Sequence, residues 1–111
     1  MPVTIDLTGE VLTARLSGEL DHHAACSVRQ QIDEQIGEHR PTMVILDFRD
    51  LTFMDSSGIG LVMGRYKAAS AVGAELHVCN TSPQIYKVMR LSGLDRLAVI
   101  DKGGCKYEGG K

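Results

Sequence analysis

The feature that most constrains the fold is a nearly continuous apolar run at 42–48, which reads Thr-Met-Val-Ile-Leu-Asp-Phe. Strands of parallel sheets that helices cover on both faces have this composition, whereas strands with one wet face alternate apolar and polar residues. The run therefore predicts a central strand, Met43 to Phe48, in an open α/β sheet. In such sheets the loops after the carboxyl ends of the strands meet ligands and partners.

An antiparallel hairpin is predicted before this strand. Apolar residues occupy every second position on either side of the turn signal Thr8-Gly9, namely Val3, Ile5, Leu7, Leu12, Ala14 and Leu16. The second arm leads to Asp21, which we expect to cap a helix over about 22–38. Gly37 and Pro41 are expected to end that helix.

The segment after the central strand predicts a second helix over about 57–72, with Ser56 or Ser57 as its cap. Its predicted apolar stripe is Ile59, Val62, Met63 and Tyr66. A ridge of small residues runs along it: Ser57, Gly60, Gly64, Ala68 and Ala71. Because glycine within a helix costs about 1 kcal/mol relative to alanine, the three glycines of this helix, Gly58, Gly60 and Gly64, predict close backbone approach to the sheet or to a partner. Gly73 is expected to end the helix in a left-handed conformation.

The remaining elements are a strand at 76–79, a short helix capped by Ser82 with Pro83 in its first turn, and a last strand at 97–100. Their order predicts a single α/β domain with a mixed sheet, in which the N-terminal hairpin is antiparallel, the other strands are parallel, and the helical crossovers are right-handed. We expect this domain to span 1–101. Residues 102–111 hold four glycines and predict a flexible tail.

The bulk properties exclude several classes of function. A net charge of -2 and a pI near 6.0 provide no basic field for nucleic acid or an anionic membrane surface. No apolar run approaches the roughly 20 residues that a membrane span needs. The three cysteines, Cys26, Cys79 and Cys105, show neither a disulfide framework nor zinc-ligand spacing. We therefore expect a cytoplasmic protein without a metal.

The candidate site is the stretch from Met54 to Gly60, where a serine hydroxyl precedes or opens a helix. A dinucleotide-binding fingerprint would need a third glycine where Met63 stands. A hydrolase nucleophile elbow would need glycine in place of Met54. The histidines available as a base are His22, His23, His39 and His77, and no complete catalytic set can be read around them. By the residues alone, a plain helix cap, a protein partner and a small ligand all remain open at this stretch.

Two segments closely resemble the anti-sigma factor antagonists of the STAS domain family, above all the sporulation anti-sigma-F antagonists. They are Gly18-Glu19-Leu20-Asp21-His22-His23 and Phe53-Met54-Asp55-Ser56-Ser57-Gly58-Ile59-Gly60, the latter followed by Gly64-Arg65-Tyr66-Lys67. Ser82-Pro83 and Ser92-Gly93-Leu94 fit at the expected distance. The resemblance covers about 3–100 and implies a non-enzymatic protein that needs no cofactor of its own.

The family resemblance implies that the unmodified chain binds an anti-sigma factor serine kinase and frees the sigma factor. The kinase then uses ATP to phosphorylate the serine after the aspartate, Ser56, which switches binding off until a serine phosphatase resets it. The implied partner-binding residues are Asp21, His22, His23, Met54, Asp55, Ser57, Gly58, Ile59 and Gly60. The alternatives are a STAS interaction module of another signalling system, such as a stress response, and a small serine hydrolase.

Overall fold

The predicted hairpin is present at the start of the sheet. The computed structural model describes residues 3–101 and 103. Strands β1 (Val3–Thr8) and β2 (Val11–Leu20) pair antiparallel, with Val3 opposite Leu16 and Thr8 opposite Val11. Gly9 adopts a φ of 62° in the turn between them, a conformation that glycine enters without steric cost.

Three further strands complete a five-stranded sheet in the order β1-β2-β3-β4-β5. They are β3 (Met43–Met54), β4 (Glu75–Cys79) and β5 (Val99–Ile100), and each joins its neighbour in parallel. The central position of β3 and the mixed sheet confirm the predicted fold class. The last strand is shorter than predicted, because a 3-10 helix, Leu94–Arg96, precedes it.

The three crossover helices are α1 (His22–His39), α2 (Ser56–Ala71) and α3 (Pro83–Leu91). Asp21 caps α1 as predicted, and the Ser82 side chain accepts a hydrogen bond from the backbone N–H of Ile85 at the start of α3. The prediction that Gly37 ends α1 was wrong. The last residue of the helix is His39. Arg40 follows as the C-cap and takes the left-handed conformation with φ at 46°.

The buried face of α2 differs from the predicted stripe. Its buried residues are Gly58, Leu61, Val62, Arg65 and Ala69. Of the predicted stripe, Val62 is buried and Ile59 and Tyr66 are half-buried against the core, whereas Met63 is exposed. The prediction was wrong at Met63 and missed Leu61, because α2 interleaves glycine and alanine with its larger residues, which leaves its apolar side poorly marked in the sequence.

Helices α1 and α2 are joined by an ion pair that the sequence did not predict. The Arg65 side chain in α2 is only 5% exposed, and its Nε lies 2.9 Å from Oδ1 of Asp33 in α1. The two atoms are within ion-pair distance but are not aligned as a hydrogen bond, and Arg65 Nη1 is also buried without a hydrogen-bond partner among the described residues. Burial lowers the pKa of Arg65, Asp33 opposes that shift, and Arg29 adds to it.

Strand β3 is twice as long as its predicted buried part. It pairs with β4 only as far as Asp47 opposite Cys79, but with β2 as far as Met54 opposite Leu20. Two register irregularities in the β2–β3 ladder, at Arg15/Ser17 and Gly18/Glu19, accompany this extension. The carboxyl end of β3 therefore projects beyond β4, and it carries the candidate site away from the body of the sheet.

The cysteines also differ from expectation. Cys79 is buried and disulfide-bonded, although the sequence showed no disulfide framework, and Cys26 is a free, exposed thiol on α1. Cys105 lies outside the described residues, as does the predicted flexible tail at 102–111 apart from Gly103. The Gly103 carbonyl accepts a hydrogen bond of 2.8 Å from the backbone N–H of Asn80.

Candidate partner-binding and modification site

The two segments singled out in the sequence meet at one edge of the sheet. Leu20 and Met54 are register partners at the ends of the parallel strands β2 and β3. The backbone N–H of Asp55 donates to the Leu20 carbonyl at 3.3 Å, one residue past the last pair. Because β2 and β3 are parallel, their carboxyl ends lie at the same edge of the sheet. Helix α1 follows β2 and α2 follows β3, so the N-termini of the two helices lie side by side. The predicted residues at 21–23 and 54–60 therefore form one continuous region.

Asp55, and not a serine, caps α2. Its carboxylate Oδ1 accepts a hydrogen bond of 2.8 Å from the Ser57 backbone N–H, and its carbonyl accepts one of 2.9 Å from the Gly58 N–H. The prediction that Ser56 or Ser57 caps the helix was therefore wrong by one residue. Aspartate performs the cap better at this end, because its negative charge also complements the partial positive charge of the helix N-terminus.

The two serines that follow the cap differ in access. Ser56 is the first residue of α2 and is exposed, whereas Ser57 is half-buried and contributes its backbone N–H to the cap. The first turn of a helix carries N–H groups without intrahelical acceptors, so its surroundings favour an added anion. An accessible hydroxyl thus stands at a position where a phosphoryl group is electrostatically tolerated by the helix.

Gly58 is the glycine at which close approach occurs. A Cβ at this position would overlap Cγ and Sδ of Met54 and lie 3.3 Å from Leu20 Cδ2. By contrast, a Cβ at Gly60 or Gly64 would meet no heavy atom within 4 Å. The small-residue ridge therefore does not mark approach to the sheet at Gly60 or Gly64. Approach of a partner to these two glycines stays a prediction.

A shallow groove separates the first turns of α1 and α2, beside Ser56. It is lined by residues of both helices, namely His22, Ala25, Cys26, Arg29, Ser57, Gly60 and Leu61. Ala25, Cys26, Arg29 and Leu61 were not among the predicted site residues, since only the packing of the two helices brings them together. An exposed stripe continues from the groove along α2 through Ser56, Gly60, Met63 and Lys67.

The charges around Ser56 are of both signs. The Asp21 carboxylate accepts a hydrogen bond of 2.9 Å from the Ala24 backbone N–H, so it is held at the junction beside Asp55. His22 and His23 are exposed on the first turn of α1, and Arg29 lies on the far rim of the groove. The structure gives no hydrogen bond from Ser56 to either histidine ring within residues 3–101 and 103. A serine–histidine pair of the kind that activates a nucleophile is therefore not assembled in this part of the chain.

Across 3–101 and 103, no group of three or more histidine, cysteine, aspartate or glutamate side chains is arranged to hold a metal ion. None of the helices in these residues combines the length and the apolarity needed to cross a bilayer.

Fold and site together define a small α/β domain whose distinctive side chains stand on two adjacent strand–helix junctions. The chain belongs to the STAS domain family, whose model matches residues 3–102. An anti-sigma F factor antagonist of Paenibacillus polymyxa is 43% identical over 90 residues, which cover 81% of this chain and 77% of the relative. An anti-sigma-B factor antagonist of Bacillus subtilis is 25% identical over 99 residues, 89% of this chain and 86% of the relative.

Solved structures agree with this assignment. The anti-sigma factor antagonist SpoIIAA in its unphosphorylated form matches with a TM-score of 0.78 and 37% identity, covering 88% of this chain and 86% of that one. The phosphorylated form of the Bacillus protein SpoIIAA matches with a TM-score of 0.72 and 38% identity, covering 88% and 89%.

Proposed function

We propose that this protein is an anti-sigma factor antagonist controlled by phosphorylation of Ser56. The unmodified chain binds an anti-sigma factor with serine kinase activity and thereby releases the sigma factor. The kinase transfers phosphate from its own ATP to Ser56, and the modified chain dissociates. The observation that carries this proposal is the exposed hydroxyl of Ser56 at the first position of α2, directly after the capping Asp55.

The proposed docking surface consists of the two junctions and the exposed stripe of α2. The first junction, between β2 and α1, contributes Asp21, His22 and His23. The second contributes Met54, Asp55, Ser57, Gly58, Ile59 and Gly60 around Ser56. The absence of a side chain at Gly60 leaves open space beside Ser56, which suits the close approach that a kinase active site requires.

Charge alone is sufficient for the switch. A phosphoserine carries about -1.5 to -2 charges at neutral pH. At a separation of about 6 Å, such a group and a carboxylate like that of Asp55 repel each other by about 1 to 5 kcal/mol, depending on the local dielectric. Burial of the phosphate against a partner adds a desolvation penalty. Since about 1.4 kcal/mol changes affinity tenfold, dissociation needs no refolding of the chain.

The helix N-terminus explains why the fold should tolerate modification. The free N–H groups of the first turn and the helix dipole favour a negative group at this position. SpoIIAA, solved in both states, keeps a fold that matches this chain, which supports the same expectation here.

We place the exchange in the cytoplasm, where a serine phosphatase would restore the hydroxyl. Control of a sporulation sigma factor is favoured over a stress-response one, because identity to the anti-sigma F antagonist is 43% and to the anti-sigma-B antagonist 25%.

The test uses the anti-sigma factor kinase of the same organism with three variants of the full chain. Ser56→Ala should bind the kinase but take up no phosphate from ATP by intact mass. Ser57→Ala is the matched control and should be phosphorylated. Ser56→Asp should retain the wild-type circular dichroism spectrum and bind at least about tenfold more weakly. Phosphate on Ser56→Ala, or full-strength binding by Ser56→Asp, would overturn the proposal.

A further inference from the structure

Within the described part of the chain, the carboxyl end of β3 has a neighbouring strand on one side only. Beyond Asp47, β3 is paired on one side by β2, and no strand of residues 3–101 or residue 103 pairs with its other side. A strand edge of this kind presents a row of backbone N–H and C=O groups that can accept an added strand. The edge in question runs through Thr52, Phe53 and Met54, immediately before the second junction.

Helix α3 forms the opposite wall of a groove along this edge. The groove is lined by Thr52, Phe53 and Met54 from β3 and by Ser82, Gln84, Ile85, Lys87 and Val88 from α3 and its cap. A strand edge facing a helix across a groove is the arrangement in which proteins bind extended peptides by strand addition. The main chain then supplies affinity, and side chains of alternating direction supply specificity.

The groove exposes apolar side chains that a folded chain normally covers. Phe53 is 50% exposed and Val88 is 47% exposed, and Leu91, one turn further along α3, is 78% exposed. Gln84, Val88 and Leu91 lie on one face of α3 by their spacing of three to four residues. Phe53 and Val88 line the same groove, and exposed apolar side chains grouped in a groove are typical of interaction sites.

The positive charge of Lys87 indicates which kind of peptide segment the groove can bind. Lys87 is the only charged residue among those that line it, and Arg90 lies near it on the neighbouring surface of α3. An extended segment with apolar side chains at alternate positions and a carboxylate beside Lys87 would complement this surface. A basic or purely polar segment would not.

We propose that the groove between α3 and the projecting end of β3 binds an extended peptide segment of a partner protein as an additional strand. The segment carries alternating apolar residues and at least one aspartate or glutamate. Its side chains contact Phe53 and Val88, its carboxylate pairs with Lys87, and its main chain bonds to the open edge at 52–54.

The test begins with a library of random octapeptides displayed on phage, selected against the full chain and counter-selected against Val88→Glu. The most enriched peptide is then synthesised and titrated into the isotope-labelled chain by nuclear magnetic resonance. We expect shifts in the amides at 51–54 and 84–91, together with inter-strand contacts from the peptide backbone. Methylation of alternate peptide nitrogens should abolish binding.

Matched variants separate this groove from the rest of the surface. Val88→Glu and Lys87→Glu should each weaken binding of the selected acidic peptide by about tenfold or more, because one places a carboxylate in the apolar contact and the other removes the pairing charge. Val99→Glu is the control, since Val99 on β5 is 45% exposed at a different edge of the sheet, and it should stay within about twofold.

Three results would overturn the proposal: no peptide that distinguishes wild type from Val88→Glu, shifts confined to the α1–α2 groove, or amide shifts at 51–54 and 84–91 that change with the concentration of the chain alone, which would show a second copy of this chain in the groove. The measurement contains no kinase and does not use Ser56. Failure here and failure of the phosphorylation switch are therefore separate results.

Discussion

At the ends of β2 and β3 the chain makes the same turn twice. An aspartate follows each strand directly, Asp21 in one case and Asp55 in the other, and each side chain accepts a hydrogen bond from the first turn of the next helix. The residues after the cap differ. His22 follows the first aspartate and Ser56 the second. Three residues past the cap stands Ala24 in α1 but Gly58 in α2.

The shared aspartates stabilise the fold, whereas the residues that differ between the junctions are not needed for the cap. Both helices need an anionic acceptor at the N-cap, and the shared aspartate meets that need. The hydroxyl of Ser56 has no role in the cap, because Asp55 already supplies the acceptor. Gly58 replaces alanine because the Met54 side chain lies against the backbone at that point. The second junction thus carries an exposed hydroxyl that its own cap does not require, which is consistent with the proposed role of Ser56.

Among the substitutions that test the comparison of the two junctions, Gly58→Leu is expected to change the free energy of unfolding most. The new side chain would overlap Met54 and approach Leu20, so we expect a loss of about 2 kcal/mol or more in the free energy of unfolding, measured in urea. Gly60→Leu is the control on the same helix, because its site is open. It should be neutral or stabilising by up to about 1 kcal/mol, since leucine is the better helix former. Equal losses in the two variants would remove the distinction between the glycines.

The second effect tests the ion pair that joins the middles of helices α1 and α2. Asp33→Ala removes the partner of the buried Arg65 and should cost about 1 to 3 kcal/mol, less than for a fully buried pair because the Asp33 side chain is 41% exposed. The double variant Asp33→Ala with Arg65→Met should recover part of this loss, because no unpaired buried charge remains. A double variant no more stable than Asp33→Ala alone would contradict this account of Arg65.

The third effect concerns the shared cap. Asp21→Ala and Asp55→Ala should each lower the free energy of unfolding by about 1 kcal/mol, because each leaves a first-turn N–H without its acceptor. Thermal and urea denaturation of the two variants in parallel measures the comparison directly. If only one of the two substitutions were destabilising, the junctions would not be structurally equivalent.

The smallest effect is expected at the position that differs. Ser56→Ala and His22→Ala replace exposed residues after the cap and should change the free energy of unfolding by no more than about 0.5 kcal/mol. Ser56→Ala should nevertheless abolish phosphorylation. A large loss of stability in Ser56→Ala would mean that the hydroxyl has a structural role, and the contrast between the junctions would disappear.

Much of the fold could be predicted from local patterns. The alternation at 3–16 predicted the hairpin, the apolar run at 42–48 predicted the central strand, and Ser82-Pro83 predicted the start of α3. The α2 face was predicted only in part, with Met63 wrongly included and Leu61 missed, because glycine and alanine carry little information about which side of a helix is buried. The predicted N-cap of α2 was wrong by one residue, because aspartate and serine are both good caps and are adjacent at 55–56.

The sequence by itself determined the order of elements, the parallel sheet around β3 and the presence of a serine at a strand–helix junction. Those properties follow from short-range periodicity and capping chemistry. Tertiary structure alone decided which serine is exposed, which glycine is packed, that Arg65 pairs with Asp33, and that β3 projects past β4 to face α3. Each of these depends on contacts between residues far apart in the chain. Such contacts set the space around a side chain, and a local sequence pattern does not identify them.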